Sequence, residues 1–465
     1  MFIETMYYTR FYFLGIGGIG MSALARYFHA NGYLVGGYDR VSTPLTQQLE
    51  QEGMAIHYVD DVKAIPSAFL DPSQTLIVFT PAVPSDLSER QYFEQQGFHL
   101  MKRAAVLGEI TRQQKGICIA GTHGKTTTST MVAHLLHQSH VDCSAFLGGI
   151  SKNYDSNVVL SPAAEYIVIE ADEFDRSFHQ LSPYLAVITA VDPDHLDVYK
   201  TGKAFRQSFE QFTALIQPHG ALLMKKHLPI NPQLQPGVRL FTYAVDQKAD
   251  FYSDNIRIEN GEIRFDFHSL DSDVNDVVLG VPVPINVENG TAAMALAWLA
   301  GATAEELRRG MASFAGIKRR FDILFKSPEV LFIDDYAHHP TELKASIASM
   351  KKVFRGRTIC GIFQPHLYSR TRDFASAFAE ALSQLDEVIL LDIYPAREAP
   401  LEGVTSQLIF DRISVAHKTW CSRDQLLPLL QQKQQFDVLA TFGAGNIDQL
   451  LPDIRNMLIL RYGSA

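Results

Sequence analysis

Residues 116–127 of this 465-residue chain read Gly-Ile-Cys-Ile-Ala-Gly-Thr-His-Gly-Lys-Thr-Thr. A short apolar run enters a loop made of Gly121, Thr122, His123 and Gly124. Lys125, Thr126 and Thr127 then open an apolar-periodic segment that reaches residue 137. A strand, a glycine loop and a helix start in that order form an anion cradle. Backbone N–H groups at the helix N-terminus point at the ligand, and the lysine adds a full charge. Ile119 stands where the longer form of this pattern carries glycine, so the loop is the shorter variant. It predicts a nucleoside triphosphate, with the Thr126 hydroxyl available to magnesium.

A second cradle lies at residues 15–20, Gly-Ile-Gly-Gly-Ile-Gly, between a β-like run at 11–14 and a helical segment at 21–31. Gly17, Gly18, Ile19 and Gly20 suit close approach of backbone to a diphosphate. Asp39, at the end of the next strand, can accept from a ribose hydroxyl. Thr80, Pro81 and Ala82 follow the strand at 75–80, where ligands of α/β sheets gather. Two further runs, 166–170 and 185–190, end in Glu170-Ala171-Asp172-Glu173 and in Asp192-Pro193-Asp194-His195. Magnesium takes few protein oxygens beside those of a phosphate. Thr126, Glu170 and His195 are the candidates to hold it.

The elements that must carry these residues fall into three groups. The first alternates strand and helix up to about residue 107. The second starts with the Lys125 loop and includes an alternating stretch, 243–279, that predicts antiparallel hairpins before a helix at 289–299. The third follows Arg319, Arg320 and Phe321 with strands at 330–334, 358–363, 387–391 and 438–442 and a helix at 341–354, which predicts a parallel sheet. The expected domains are 1–107, 108–322 and 323–465.

Composition agrees with a cored α/β protein: 46% of residues are apolar and 20% charged. A net charge of −10 argues against nucleic-acid or membrane-surface binding, so anions must be held by local clusters such as Arg319–Arg320 or Arg370 with Arg372. Cys118, Cys143, Cys360 and Cys421 lie far apart, and predict buried thiols of a cytoplasmic protein. Residues 1–10 lack the pattern of a signal peptide, and no apolar run is long enough to span a bilayer.

Taken in order, residues 15–21 (GIGGIGM), 121–128 (GTHGKTTT), 170–175 (EADEFD), 194–197 (DHLD), Asn286 with Asn289, 319–321 (RRF), 334–342 (DDYAHHPTE) and 363–371 (FQPHLYSRT) resemble the Mur ligase family over essentially the whole chain. The resemblance implies three α/β domains: an N-terminal Rossmann-like domain for a UDP-sugar, a central P-loop ATPase-type domain, and a C-terminal Rossmann-like domain for an amino acid. It implies ATP-dependent amide formation between UDP-N-acetylmuramate and L-alanine through an acyl phosphate, an early step of peptidoglycan synthesis.

Residue by residue, the resemblance gives Lys125, Glu170, His195 and Arg320 the chemistry. ATP falls to residues 121–127, Asn286, Asn289, Arg320 and Asp335. The UDP-sugar falls to Gly17, Gly18, Ile19, Gly20, Asp39, Thr80, Pro81, Ala82 and His338. Tyr336, His366 and Arg370 are implied for the amino acid, and a monomer or weak homodimer is expected. Relatives that add later amino acids carry a carbamylated lysine after the counterpart of His195; here Ser208, Phe209 and Glu210 stand there, which fits alanine addition. Ile285 replaces a histidine common in relatives, a departure on the adenine side, and Leu367 replaces an arginine, so that Arg370 must bear more of the carboxylate contact. Two rival readings are a recycling ligase that attaches a preformed peptide, and a nicotinamide-dependent oxidoreductase read from residues 15–20 and Asp39. The second leaves Lys125 and Glu170 unused.

Overall fold

The computed structural model describes residues 8–463 except 162, 194, 195, 260, 397 and 434, and excluding the side chains of 196 and 197. The chain divides into two compact units, one built mainly from residues up to 315 and one mainly from residue 316 onward.

The first unit opens with β1 (Arg10–Leu14), α1 (Ile19–Ala30), β2 (Leu34–Tyr38), α2 (Pro44–Gln51), β3 (Ala55–His57), β4 (Thr75–Phe79), α3 (Ser88–Gln95), β5 (His99–Lys102) and α4 (Arg103–Gln113). Its strands are parallel, in the order β3-β2-β1-β4-β5. Buried on both faces, β1 reads as a continuous apolar run, as a parallel strand between helices must.

A ten-stranded sheet follows, built on β6 (Lys115–Ala120), α5 (Lys125–His137), β7 (Ser144–Ser151), β8 (Ser156–Val159), β9 (Tyr166–Ala171), β10 (Leu185–Ile188), α6 (Leu196–Tyr199), α7 (Gly202–Thr213) and β11 (Ala221–Lys225). It continues through β12 (Arg239–Val245), β13 (Phe251–Glu259), β14 (Glu262–His268), β15 (Asp273–Val278), α8 (Ile285–Ala300) and α9 (Ala304–Ser313). β6 lies between β9 and β10 and parallel to both, so the Lys125 loop leaves the centre of the sheet. The predicted hairpins are partly corrected. β14 and β15 pair antiparallel, but β12 runs parallel to β13. The turn residues of 246–250 do not by themselves decide strand direction.

Within this unit α1 binds the two sheets together. Arg26 is 9% exposed and donates to Glu52 at 2.7 Å and to Asn157 of β8 at 2.7 Å. Asn157 in turn donates to the Ile19 carbonyl at 2.5 Å and to Ser22 Oγ at 2.9 Å. One apolar core runs on from Phe11, Phe13 and Leu24 to Phe146, Val158 and Ile167.

The second unit carries β16 (Asp322–Lys326), β17 (Leu331–Asp335), α10 (Pro340–Val353), β18 (Ile359–Phe363), α11 (Tyr368–Leu382), β19 (Glu387–Leu391), α12 (Gln407–Phe410), β20 (His417–Cys421), α13 (Arg423–Gln432), β21 (Val438–Phe442) and α14 (Leu451–Tyr462). The sheet order is β16-β17-β21-β18-β19-β20. The four expected strands, β17, β18, β19 and β21, are parallel, and β20, which the sequence did not reveal, joins them in parallel; β16, also not revealed, pairs antiparallel with β17. All four cysteines are free and buried. Among the described residues no helix is long and apolar enough to cross a membrane.

Candidate functional site

The Lys125 loop is built by two glycines in conformations other residues avoid. Gly121 has φ +138° and Gly124 φ +80°. A Cβ on Gly121 would lie 2.1 Å from Thr189 Oγ1, and one on Gly124 would lie 2.6 Å from Asn289 Oδ1. Thr189 braces the loop by donating to the His123 carbonyl at 2.6 Å, and Thr122 donates its N–H to Ala190 at 3.0 Å and its hydroxyl to Asp192 at 3.0 Å. The side chain of His123 is exposed, 3.7 Å from the Asp192 carboxylate, which gives Asp192 a contact the sequence did not explain. Thr128 makes the first backbone bond of α5, to Gly124 at 2.9 Å, so the N–H groups of the preceding residues remain for an anion. Thr127 is half-buried in that first turn.

Lys125 turns back over this loop. It donates to the Gly121 carbonyl at 2.8 Å and to both carboxylate oxygens of Glu173, at 2.7 and 2.9 Å. Thr126 Oγ1 lies 3.0 and 3.2 Å from the two oxygens of Glu170. Gly148 of β7 supplies the space around them: a Cβ there would stand 2.0 Å from Glu170 Oε2 and 3.0 Å from Thr126 Oγ1. A hydroxyl and a carboxylate side by side, with room before them, suit a hard dication that completes its shell with water and phosphate. Among the described residues no group of three or more His, Cys, Asp or Glu forms a fuller metal cage. His195 lies outside the described residues. Asn286 and Asn289 are both buried on the first turns of α8, joined by a bond of 3.1 Å, with Asn289 also 3.4 Å from Thr128 Oγ1. They brace the helix start that carries Lys125.

The other glycine loop follows β1. Gly17 N–H donates to Asp39 Oδ2 at 2.7 Å, so Asp39 shapes this loop itself. Gly18 caps α1, and Ile19 and Gly20 form its first turn. The guanidinium of Arg103, at the start of α4, fills the space beside Gly20: Nη1 is 2.0 Å from where a Cβ would be. Sequence reasoning missed this cation, although its place directly after β5 on the strands' C-terminal edge is a usable signal. Thr80, Pro81 and Ala82 follow β4 on the same edge, with Val83 N–H closing the turn onto Thr80 at 3.0 Å.

The second unit gathers its own cluster after β17 and β18. Arg319 is committed to structure, donating to Asp334 at 3.2 Å and to the Gly443 carbonyl at 2.6 Å. Asp334 is fully buried, and burial pushes its carboxyl up to about 6. Arg319 and Arg320 flank the ring of Tyr336 at 5.0 and 5.4 Å. Only Arg319 is spent on the fold, which leaves Arg320 as the arginine of the pair suited to a ligand. Asp335 points inward, accepting from Ser346 at 2.5 Å and from Ala337 N–H at 3.2 Å, and burial raises its carboxyl. His339 caps α10 in a capping box with Glu342, leaving His338 to face the cluster.

His338 stands 5.1 Å from Tyr336 and 6.1 Å from His366, and Arg370 Nη1 lies 3.4 Å from His366 Nδ1. Burial and the neighbouring Arg370 hold His366 down at about 4, and burial lowers His338 too, so both rings are neutral near pH 7. Arg320 and Arg370 thus supply the positive charge and the two imidazoles neutral hydrogen bonding, a set suited to carboxylates. Leu367, between His366 and α11, adopts φ +72°, a left-handed backbone costly for a branched side chain.

Comparison with known proteins bears on all of this. Residues 10–115 match the Mur ligase family catalytic domain, residues 119–297 the Mur ligase middle domain and residues 319–445 the Mur ligase glutamate ligase domain. The chain is 57% identical over 450 residues to the UDP-N-acetylmuramate–L-alanine ligase of Parabacteroides distasonis, covering 97% of both chains. It is 56% identical to the protein of the same name from Porphyromonas gingivalis, covering 97% of this chain and 99% of that one. Among solved structures, the UDP-N-acetylmuramate-alanine ligase MurC of Thermotoga maritima superposes with a TM-score of 0.81 at 26% identity, covering 97% of this chain and 99% of that one. Two glycine loops at strand ends, a lysine at a helix start and a separate cluster of arginines and histidines therefore occur on a chain matched from residue 10 to residue 445 by one set of domains, and the chain belongs to the Mur ligase family.

Proposed function

We propose that this chain is an ATP-dependent ligase that joins L-alanine to UDP-N-acetylmuramate in the cytoplasm. The observation that carries the reading is the 57% identity, over 97% of both chains, to a relative bearing that ligase's name. The recycling-ligase reading is not favoured. The murein peptide ligase of Psychrobacter arcticus, at 22% identity and a TM-score of 0.67, shares the fold alone. An oxidoreductase has no use for Lys125, Thr126 and Glu170.

In this reading the lactyl carboxylate attacks the γ-phosphorus of ATP. A carboxyl O–P bond forms, the bond to the β–γ bridging oxygen breaks, and ADP leaves. The unprotonated amine of alanine attacks the acyl carbon, and the tetrahedral intermediate gives up one N–H proton to water and expels phosphate to leave the amide. The first step brings anions together, so positive charge must be arranged in advance. Lys125 and the loop of residues 121–127 would hold the β- and γ-phosphates, with Arg320 assigned to the transferring phosphoryl group. Thr126 and Glu170, with His195, would hold magnesium, which when bound supplies further neutralising charge. Asn286, Asn289 and Asp335 are assigned to the adenosine side, although all three are buried and bonded within the protein.

Gly17, Gly18, Ile19, Gly20, Asp39, Thr80, Pro81 and Ala82 would take the UDP part, joined by Arg103, with His338 on the sugar's carboxylate side. Tyr336, His366 and Arg370 would receive alanine. Residues 1–107, 108–322 and 323–465 then divide the work among sugar, ATP and amino acid. The test is ADP release with UDP-N-acetylmuramate and each amino acid in turn. Turnover with alanine supports the reading, and none with any amino acid refutes it.

A further inference from the structure

Glu173 has no part in the chemistry described so far, yet it makes the shortest contact of Lys125. Its side chain is 1% exposed, and both its oxygens receive N–H groups of the lysine. Lys125 also donates to the Gly121 carbonyl, so its ammonium is held between the loop and Glu173. The segment after Glu173 is strained: Asp175 and Arg176 hold φ +47° and +62°. Left-handed backbone at two successive non-glycine residues persists only where the surroundings impose it, and such strain concentrates at functional sites. Tyr199 is one of the residues packed against this segment. Its ring is almost wholly buried, its hydroxyl donates to the Glu173 carbonyl at 2.5 Å, and Arg176 lies 5.5 Å from its centre. Tyr199 thus fixes the backbone of Glu173, from which the carboxylate reaches the lysine.

We propose that Glu173 is a positioning residue that competes with the triphosphate for Lys125, setting both the direction of the lysine and the affinity for ATP. The proposal rests on the reading of residues 121–126 as the triphosphate loop. A γ-phosphate needs the N–H groups that Glu173 now receives, and a buried carboxylate beside it adds like-charge repulsion. ATP binding must therefore displace a charge-assisted contact before it gains its own.

The experiment is titration calorimetry of Mg-ATP, and separately of UDP-N-acetylmuramate, into the wild-type chain, Glu173→Gln, Tyr199→Phe and Lys125→Ala. Glutamine keeps the shape and removes the competing charge, so the Kd for ATP should fall about tenfold. Tyr199→Phe keeps every charge and only loosens the anchor, so it should tighten ATP binding about two- to threefold. The KM for ATP should fall with each, and the Kd for the UDP-sugar should stay unchanged. A folded Glu173→Gln chain whose ATP affinity is unchanged or weaker overturns the proposal. Should that variant fail to fold, an unchanged or weaker affinity in Tyr199→Phe overturns it instead. A wild-type chain that binds no ATP refutes the reading of the loop itself. Wild-type binding lost in Lys125→Ala, with both other variants unchanged, refutes the competition alone.

Discussion

Gly148→Ala separates the site from the fold that carries it. Gly148 is exposed on β7, and its φ is not positive, so alanine is acceptable to the backbone. By restricting the unfolded chain the substitution should leave stability unchanged or raise it by about 0.5 kcal/mol. The new methyl group, however, would stand 2.0 Å from Glu170 Oε2 and 3.0 Å from Thr126 Oγ1. Ordinary contact requires the carboxylate to retreat by more than about 1 Å. Glu170 ends in a mobile carboxylate, so that retreat costs the fold little. It moves the carboxylate assigned to magnesium, and misplacement of about 1 Å at a reacting centre costs about a hundredfold in rate. The expected result is a kcat for ADP release reduced about a hundredfold, with an undiminished melting temperature and an unchanged Kd for UDP-N-acetylmuramate. Activity within twofold of wild type would refute the placing of the metal at Thr126 and Glu170. A lowered melting temperature would refute the claim that the fold tolerates the methyl group.

Lys125→Ala should abolish turnover while UDP-sugar binding persists, and near-normal ADP release in that variant would end the assignment of the lysine. Arg319→Ala should lower stability by about 3 kcal/mol in urea unfolding, because it strands the buried Asp334. Arg320→Ala, by contrast, should lower kcat with little change in stability; equal losses of stability in the two variants would contradict the division between them. Burial raises the Glu89 carboxyl to about 8, with Tyr12 donating to it at 2.7 Å and His57 3.3 Å away. A raised acid stabilises the fold most below its unfolded pKa near 4.5, and that contribution is lost as pH rises through 8. Glu89→Gln should therefore lose less stability than wild type between pH 5 and pH 9, as measured by urea midpoints.

Much of the site was legible because its parts are local. Residues 15–20 and 121–126 each join a strand to a helix within a few positions, so glycine placement and the Lys125 helix start could be read directly. Strand ends bearing Glu170 and Asp39 followed from apolar runs of parallel-sheet length. What escaped depends on contacts between distant residues. Glu173 reaches Lys125, Gly148 makes room for Glu170, and Arg103 fills the space beside Gly20, none of which periodicity can show. The edge strand β16 escaped because it follows directly on the Arg319–Phe321 turn and carries charge at both ends, Asp322 and Lys326. Adjacent residues of one type also hid their division of labour: Arg319 serves the fold while Arg320 does not, and His339 caps a helix while His338 faces the cluster. Only burial and partners separate them.

The Arg26 tie has a consequence for dissection of the molecule. A fragment cut after residue 107 would strip Asn157 from Arg26, Ile19 and Ser22 and uncover the face of α1 that packs on β7 and β8. Such a piece would carry a raw apolar flank and a half-paired guanidinium, and would be prone to aggregate. The five-stranded and ten-stranded sheets should accordingly melt together, as one calorimetric transition, and any excised version meant for ligand screening should run through at least Ser313.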